Sequence, residues 1–240
     1  MIIEICANSV ESALNAEEGG ANRIEFCGEL SVGGITPSYG MLVRAVEQLS
    51  IPVFVLIRPR SGNFTYSDEE FEVMKEDILF CKKIGCSGIV SGVLDADNNL
   101  DIDRTRELVE LSKPLEFTFH RAFDWVSQPE EAFKQLIEIG CKRVLTSGQA
   151  EKAIDGLSLL KKLKSKYGDS IVIMPGSGVN IDNVLEFRKD GFSEIHFSAS
   201  SAYKNLTATP KISFNGNASD ESFITKSDLT LIKQMVDKVK

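Results

Sequence analysis

Histidine and long apolar runs are scarce in this sequence, and each shortage excludes a class of protein. Only two histidines, His120 and His196, occur among 240 residues, so a metal site built mainly from imidazole groups is excluded. No stretch approaches the ~20 consecutive apolar residues that span a bilayer, so we expect no membrane partner. Basic residues total 27 against 35 acidic ones, and the net charge of −8 disfavours binding to nucleic acid.

The N-terminus lacks the features of an export signal. It reads MIIEICANSV, with no basic start and with Glu4 where an apolar core would be needed. The five cysteines are an odd number for disulfide pairing. We therefore expect reduced thiols and a cytoplasmic location.

Short apolar runs alternate with longer amphipathic stretches along the chain. The amphipathic stretches begin with helix-capping residues, including Thr36 before Pro37 and Ser67 before three acidic residues. Eight such units in a chain of this length predict a (β/α)8 TIM barrel as a single domain over residues 1–240. A doubly wound open sheet is the alternative, but the segment after Cys6, ANSVES, has no glycine for a cofactor loop. The eight predicted strands cover residues 2–6, 23–27, 53–57, 88–92, 116–120, 143–147, 171–175 and 194–198.

A glycine recurs shortly before each even-numbered strand, at Gly20, Gly85, Gly140 and Gly191. Such glycines typically end helices, and their spacing fits a barrel of repeated two-unit modules. After the eighth strand the chain becomes polar, which predicts a long surface excursion at about 202–226 and then a C-terminal helix.

The pattern Glu-x-Cys ends the first two strands. Glu4 and Cys6 share one face, as do Glu25 and Cys27, and we expect both pairs to point into the barrel. Two reduced thiols placed there suit a soft ion such as Cu(I). The alternative is that the cysteines are small core residues. Glu4 and Glu25 must be paired inside a barrel, and both are candidate catalytic carboxylates.

Arginine and histidine follow the third and fifth strands. Arg58 and Arg60 in IRPR predict an anion-binding cluster or, alternatively, an ion-pair network with the two glutamates. His120 is a candidate general acid or base, and Arg121 adds a cation beside it. His196 lies mid-strand, where we expect a core histidine. No lysine lies at a strand end, which argues against Schiff-base chemistry.

Glycine and serine follow strands six to eight, where barrels of this kind often bind phosphate. Backbone N–H groups in such turns can hold an anion, although glycine also simply permits tight turns. The candidate anion-binding residues here are Ser147, Gly148, Gly176, Ser177, Gly178 and Ser198.

Several of these segments closely resemble the CutC family of copper homeostasis proteins, from the first residues to about Ser201. The resemblance implies a cytoplasmic, homo-oligomeric TIM barrel, either a dimer or a tetramer, that binds copper. Cys6 and Cys27 match two cysteines proposed as Cu(I) ligands in a eukaryotic member. Ser177 stands where many members carry glycine. The segments that carry the resemblance are residues 4–27, 33–38, 52–78, 117–124, 143–148 and 174–179, with the motifs IRPR, FHRAFD and VLTSG.

Two functions therefore follow from the sequence. The first is a copper-binding homeostasis protein with copper ion as its partner. The alternative is a TIM-barrel enzyme of unassigned reaction that acts on a small phosphorylated or carboxylated metabolite.

Overall fold

Eight parallel strands form a nearly closed barrel in the computed structural model, which describes residues 1–208, 211–212 and 221–240. Hydrogen-bonded neighbours run in the order β7-β6-β5-β4-β3-β2-β1-β8, and β8 also lies beside β7. The predicted TIM barrel is confirmed. Its strands are β1 Ile2–Ala7, β2 Arg23–Phe26, β3 Val53–Leu56, β4 Gly88–Ser91, β5 Glu116–Phe119, β6 Arg143–Thr146, β7 Val172–Pro175 and β8 Glu194–Phe197.

Helices follow the strands and cover the outside of the barrel. The predicted start at Ser67 is confirmed, because its hydroxyl and the Glu70 carboxylate form a reciprocal capping box. The start predicted at Thr36-Pro37 is wrong, because Ser38 caps the helix and the Thr36 hydroxyl accepts the Arg58 N–H instead. The helices are α1 Val10–Glu18, α2 Tyr39–Gln48, α3 Asp68–Ile84, α4 Ile102–Ser112, α5 Pro129–Glu138, α6 Leu157–Tyr167, α7 Val184–Lys189 and α8 Leu229–Val239.

Successive side chains along each strand point to opposite sides of the barrel wall, and the molecule therefore has two buried regions. Residues such as Ile5 and Phe26 point outward and pack beneath the helices. Residues of the opposite parity point inward, where Cys6 and Cys27 pack with Phe54 and other apolar side chains. The glycines before the even-numbered strands all have positive φ, between 76° and 88°, as expected where helices end.

The excursion predicted at 202–226 begins and ends in regular structure. Strands β9 (Ser200–Lys204) and β10 (Phe223–Ser227) pair antiparallel, and residues 209–210 and 213–220 lie outside the described part. The β9–β10 pair contacts the turn before α1, since Asn8 Nδ2 donates to the Thr225 carbonyl at 3.0 Å. The predicted C-terminal helix is confirmed as α8. None of the helices in the described ranges is long and apolar enough to cross a membrane.

Candidate functional site

A cavity of about 840 Å³ opens at the C-terminal ends of the barrel strands. Its floor contains side chains from β1, β2 and β8, and its walls come from the loops after β2, β3, β5 and β7. Apolar and aromatic groups, including Phe64 and Trp125, share these walls with a few polar groups. This composition is typical of small-molecule sites. Of the sequence-predicted residues, the cavity is lined by Cys6, Glu25, Arg58, His120, Arg121, Ser177, Gly178 and Ser198.

The two predicted thiols lie together inside the barrel. Cys6 Sγ is 3.7 Å from Cys27 Sγ and 3.7 Å from Glu25 Oε1. Both thiols and the Glu25 carboxylate therefore point into the barrel, as predicted. The hydrogen bond with Cys27, together with burial, raises the pKa of the Cys6 thiol well above its usual range. The thiol is therefore protonated at neutral pH unless a metal ion displaces the proton.

Glu4 is paired with groups that the sequence did not indicate. Its carboxylate accepts a hydrogen bond from Arg23 Nε at 2.5 Å and lies 2.8 Å from His196 Nδ1. Burial alone would raise the pKa of Glu4, but the Arg23 charge and the His196 contact outweigh burial and lower it to about 2. The ion-pair network predicted for Glu4 and Glu25 with Arg58 and Arg60 is therefore wrong.

Beneath Glu4, the network continues toward the N-terminal ends of the strands. Glu194 accepts hydrogen bonds from both Arg23 and Arg143, and Arg143 also reaches Glu116. Sequence reasoning missed these four residues. Strand parity could have found them, because Arg23 and Glu194 stand two positions before Glu25 and His196.

Arg58 lines the cavity, but both of its terminal nitrogens donate to loop backbone. It is buried, and it donates to the backbone carbonyls of Val32, Gly34 and Gly62 at 2.7–2.9 Å. These contacts join the loops after β2 and β3. Arg60 binds Glu70 of α3 at 2.6 Å and is not part of the cavity lining. The two arginines therefore do not form the predicted anion-binding pair.

His120 is buried in the cavity wall against Phe64, with ring centres 4.8 Å apart. Burial and the Arg58 charge lower its pKa to about 3, so the ring is neutral at pH 7. Nδ1 accepts the Ala122 N–H at 3.3 Å, which assigns the proton to Nε2. Within the described chain Nε2 has no hydrogen-bond partner. These contacts favour a hydrogen-bond donor over the proton-transfer role predicted for His120.

Arg121 reaches the cavity rim from the loop after β5. It donates to Asp124 at 2.8 Å and to the Ser147 hydroxyl at 3.2 Å. Ser147 itself donates to the Ala150 carbonyl, and Gly148 packs against the backbone of Gly156. Ser147 and Gly148 therefore contact residues of the rim and of the next loop, and neither lines the cavity.

The predicted anion cradle after β7 and β8 is only partly assembled. Gly176 donates its N–H to the Thr146 carbonyl and does not line the cavity. Ser177 and Gly178 do line it, with φ of 79° and 66°. Ser198 follows β8, but the chain then enters β9 and not a helix, so no helix N-terminus strengthens the cradle directly after this strand. Anion binding here stays a prediction.

His196, expected to be a core histidine, lies beside the thiols. Its ring lines the cavity, and its ligand atom, Cys6 Sγ and a Glu25 oxygen all lie within 4.8 Å of one another. The nearby charge of Glu25 and the contact with Glu4 outweigh burial and raise the pKa of His196. The missed signal was its parity with Glu194 on β8, two positions before it, which predicts that both side chains face inward.

The fold and the site define a (β/α)8 barrel whose mouth gathers thiol, carboxylate and imidazole groups. Residues 1–201 match the CutC family. The chain belongs to the CutC family.

Relatives from distant organisms show the same similarity. A human protein named as a copper homeostasis protein cutC homolog is 48% identical over 203 residues, which cover 83% of this chain and 74% of the human one. A CutC family protein of Chromobacterium violaceum is 45% identical over 199 residues, covering 82% and 81%. A solved structure from Streptococcus agalactiae that carries the CutC name has a TM-score of 0.77 and 32% identity, covering 82% and 97%.

Proposed function

We propose that this protein binds Cu(I) between Cys6 and Cys27 and acts in copper homeostasis in the cytoplasm. The observation that carries the proposal is the 3.7 Å separation of the two sulfur atoms. Family membership and the name of the human relative support the copper assignment. The homo-oligomeric state, a dimer or tetramer, stays a prediction.

The surroundings of the thiols suit a soft monovalent ion. Thiolates favour Cu(I) over harder ions. Two sulfur atoms that share one ion, each at roughly 2.3 Å, lie at most about 4.6 Å apart, so the observed 3.7 Å lies within the range that one shared ion allows. Phe54 and Leu56 pack beside the sulfurs and limit contact with water. Because binding must displace the Cys6 proton, Cu(I) affinity should fall as the pH falls.

Competition against a Cu(I)-selective chelator under anaerobic, reducing conditions tests this proposal. Cys6→Ser and Cys27→Ser should each weaken Cu(I) binding at least ~100-fold, because each removes one of two ligands. Cys141→Ser is the matched control, since Cys141 is buried among the outer core residues away from the cavity and its thiol donates to the Phe117 and Arg143 carbonyls. Wild-type affinity in both site variants would refute the copper proposal.

A second candidate function is favoured by the cavity above the thiols. A volume of about 840 Å³ far exceeds what one metal ion occupies, and the buried His120 Nε2 lacks a partner in the described chain. A neutral imidazole that donates to a ligand oxygen is a known catalytic device. We therefore keep the alternative of an enzyme that acts on a small phosphorylated or carboxylated metabolite, with His120, Arg121 and the turn at Ser177 and Gly178 as its contacts.

Thermal stabilisation by a panel of phosphorylated and carboxylated metabolites tests the second candidate. A ligand at 100 times its Kd should add about 2.7 kcal/mol to the free energy of unfolding. His120→Phe should abolish the effect by removing the donor, whereas Arg60→Met, outside the cavity, should retain it. Arg58→Ala is unsuitable because Arg58 holds two loops together. No stabilisation of the wild type by any compound would count against this candidate.

A further inference from the structure

We propose that Cys6, Glu25 and His196 form a second metal site, specific for a divalent ion such as Zn²⁺. The three residues come from β1, β2 and β8, which are neighbours in the barrel. One ligand atom of each lies within 4.8 Å of the other two, and all three side chains are buried. Ligands of a tetrahedral ion lie about 3.3–3.8 Å apart, so binding requires contraction by about 1 Å at most.

One ring nitrogen of His196 is already held by a carboxylate. Its Nδ1 faces the Glu4 carboxylate at 2.8 Å, which leaves Nε2 as the nitrogen that can bind an ion. Glu4 is in turn fixed by Arg23. A carboxylate that holds the far side of a ligating imidazole is a recurrent feature of metal sites, because it fixes the tautomer and strengthens the ligand.

Glu25 supplies an independent observation. Its Oε1 accepts the Cys6 thiol, while its Oε2 is buried with no hydrogen-bond partner in the described chain. A buried carboxylate oxygen without a partner is costly, and a bound cation would remove that cost. Two thiols alone can hold Cu(I), so the proposed copper site does not explain Glu25.

The donor set decides which ion fits. One sulfur, one nitrogen and one oxygen suit a borderline divalent ion such as Zn²⁺, whereas Cu(I) prefers thiolates. Three protein ligands beside an open cavity leave a fourth position for water or a ligand oxygen, as in catalytic zinc sites. Because Cys6 belongs to both sites, Cu(I) and the divalent ion would exclude each other.

Titration of the reduced, metal-free protein with Co²⁺, followed by displacement with Zn²⁺, tests the proposal. One Co²⁺ per chain should bind with a thiolate-to-metal charge-transfer absorption. Glu25→Gln and His196→Gln should each weaken Co²⁺ binding at least ~100-fold and leave Cu(I) binding nearly unchanged. Cys27→Ser should show the opposite pattern, retaining Co²⁺ and losing Cu(I).

These patterns separate the divalent site from the proposed copper function. If neither Cys6→Ser nor Cys27→Ser weakens Cu(I) binding, only the copper proposal is refuted. The divalent site would be overturned if Glu25→Gln and His196→Gln left the Co²⁺ affinity unchanged, or if Cys27→Ser abolished Co²⁺ binding. X-ray absorption of the Zn²⁺-loaded wild type needs no variant: one sulfur with nitrogen and oxygen ligands is expected, and two sulfurs, or none, would overturn the proposal.

Discussion

At the scale of single residues, Glu4 connects the polar interior of the barrel with the candidate site. It is fully buried and contacts Arg23 below and His196 above. Removing one partner from a buried ion pair typically costs about 3–5 kcal/mol, because the other charge stays unpaired. The orientation of His196 therefore depends on the same contacts that stabilise the interior.

Glu4→Gln should lower the free energy of unfolding by about 3–5 kcal/mol at pH 7, because it leaves Arg23 without one of its counter-charges. The pKa of Glu4 is about 2 in the folded protein, below its usual value of 4.5. Its stabilising contribution is thus fully present above about pH 4.5 and is lost as the pH falls toward 2. The difference between wild type and variant in urea unfolding should accordingly shrink between pH 5 and about 2.

Glu11→Gln is the control for this measurement, since Glu11 is an exposed partner of Lys226. Its effect should stay below about 1 kcal/mol. A difference between wild type and Glu4→Gln that stays constant from pH 7 to about 3 would contradict the assigned role of the Glu4 charge.

At the scale of elements, the alternation of strands and helices could be predicted from the sequence because local patterns encode it. Eight apolar runs gave the eight strands, and helix-ending glycines such as Gly85 marked the approach to even-numbered ones. The start of α2 was predicted wrongly at Thr36-Pro37 because Ser38, two residues after Thr36, is also a favourable N-cap residue. The pairing of β9 with β10 was not predicted, since a polar segment shows no core-facing alternation.

Strand parity alone predicts which side chains face into the barrel, and only that part of the site could be predicted from the sequence. Parity placed Cys6 beside Cys27 correctly. It could not assign the partner of Glu4, because the contact with His196 exists only after β1 and β8 pair across the closed barrel. Arg58 was misassigned because its partners are backbone carbonyls, which no side-chain pattern reveals.

At the scale of the whole molecule, α8 packs over the region where the barrel closes. It lies against α1 and α7, and its Ile232 approaches Gly19 so closely that a Cβ on the glycine would lie 2.3 Å from Ile232 Cγ2. The helix lies beyond residues 1–201, the part that matches the family. Its packing nevertheless joins it to the barrel core.

Ile232→Ala should lower the free energy of unfolding by about 2–5 kcal/mol, because the side chain is fully buried and its loss leaves a cavity. Urea unfolding followed by far-ultraviolet and tryptophan signals should still show one transition, since α8 shares its core with the barrel. Lys233→Ala, which removes an exposed pair with Glu18, should change the value by less than about 1 kcal/mol. A separate early transition in Ile232→Ala would show that α8 is an independent appendage.

The pairing of the first strand with the eighth also has a consequence for the protein while it is being made. Cys6 and Cys27 lie on consecutive strands and leave the ribosome early, so a growing chain carries both thiols long before the barrel can close. His196 arrives about 170 residues after Cys27. A nascent chain can thus offer two sulfurs to a soft ion, whereas the three-ligand set exists only once synthesis has passed β8. The ion bound first would then depend on the stage of synthesis at which the chain meets it.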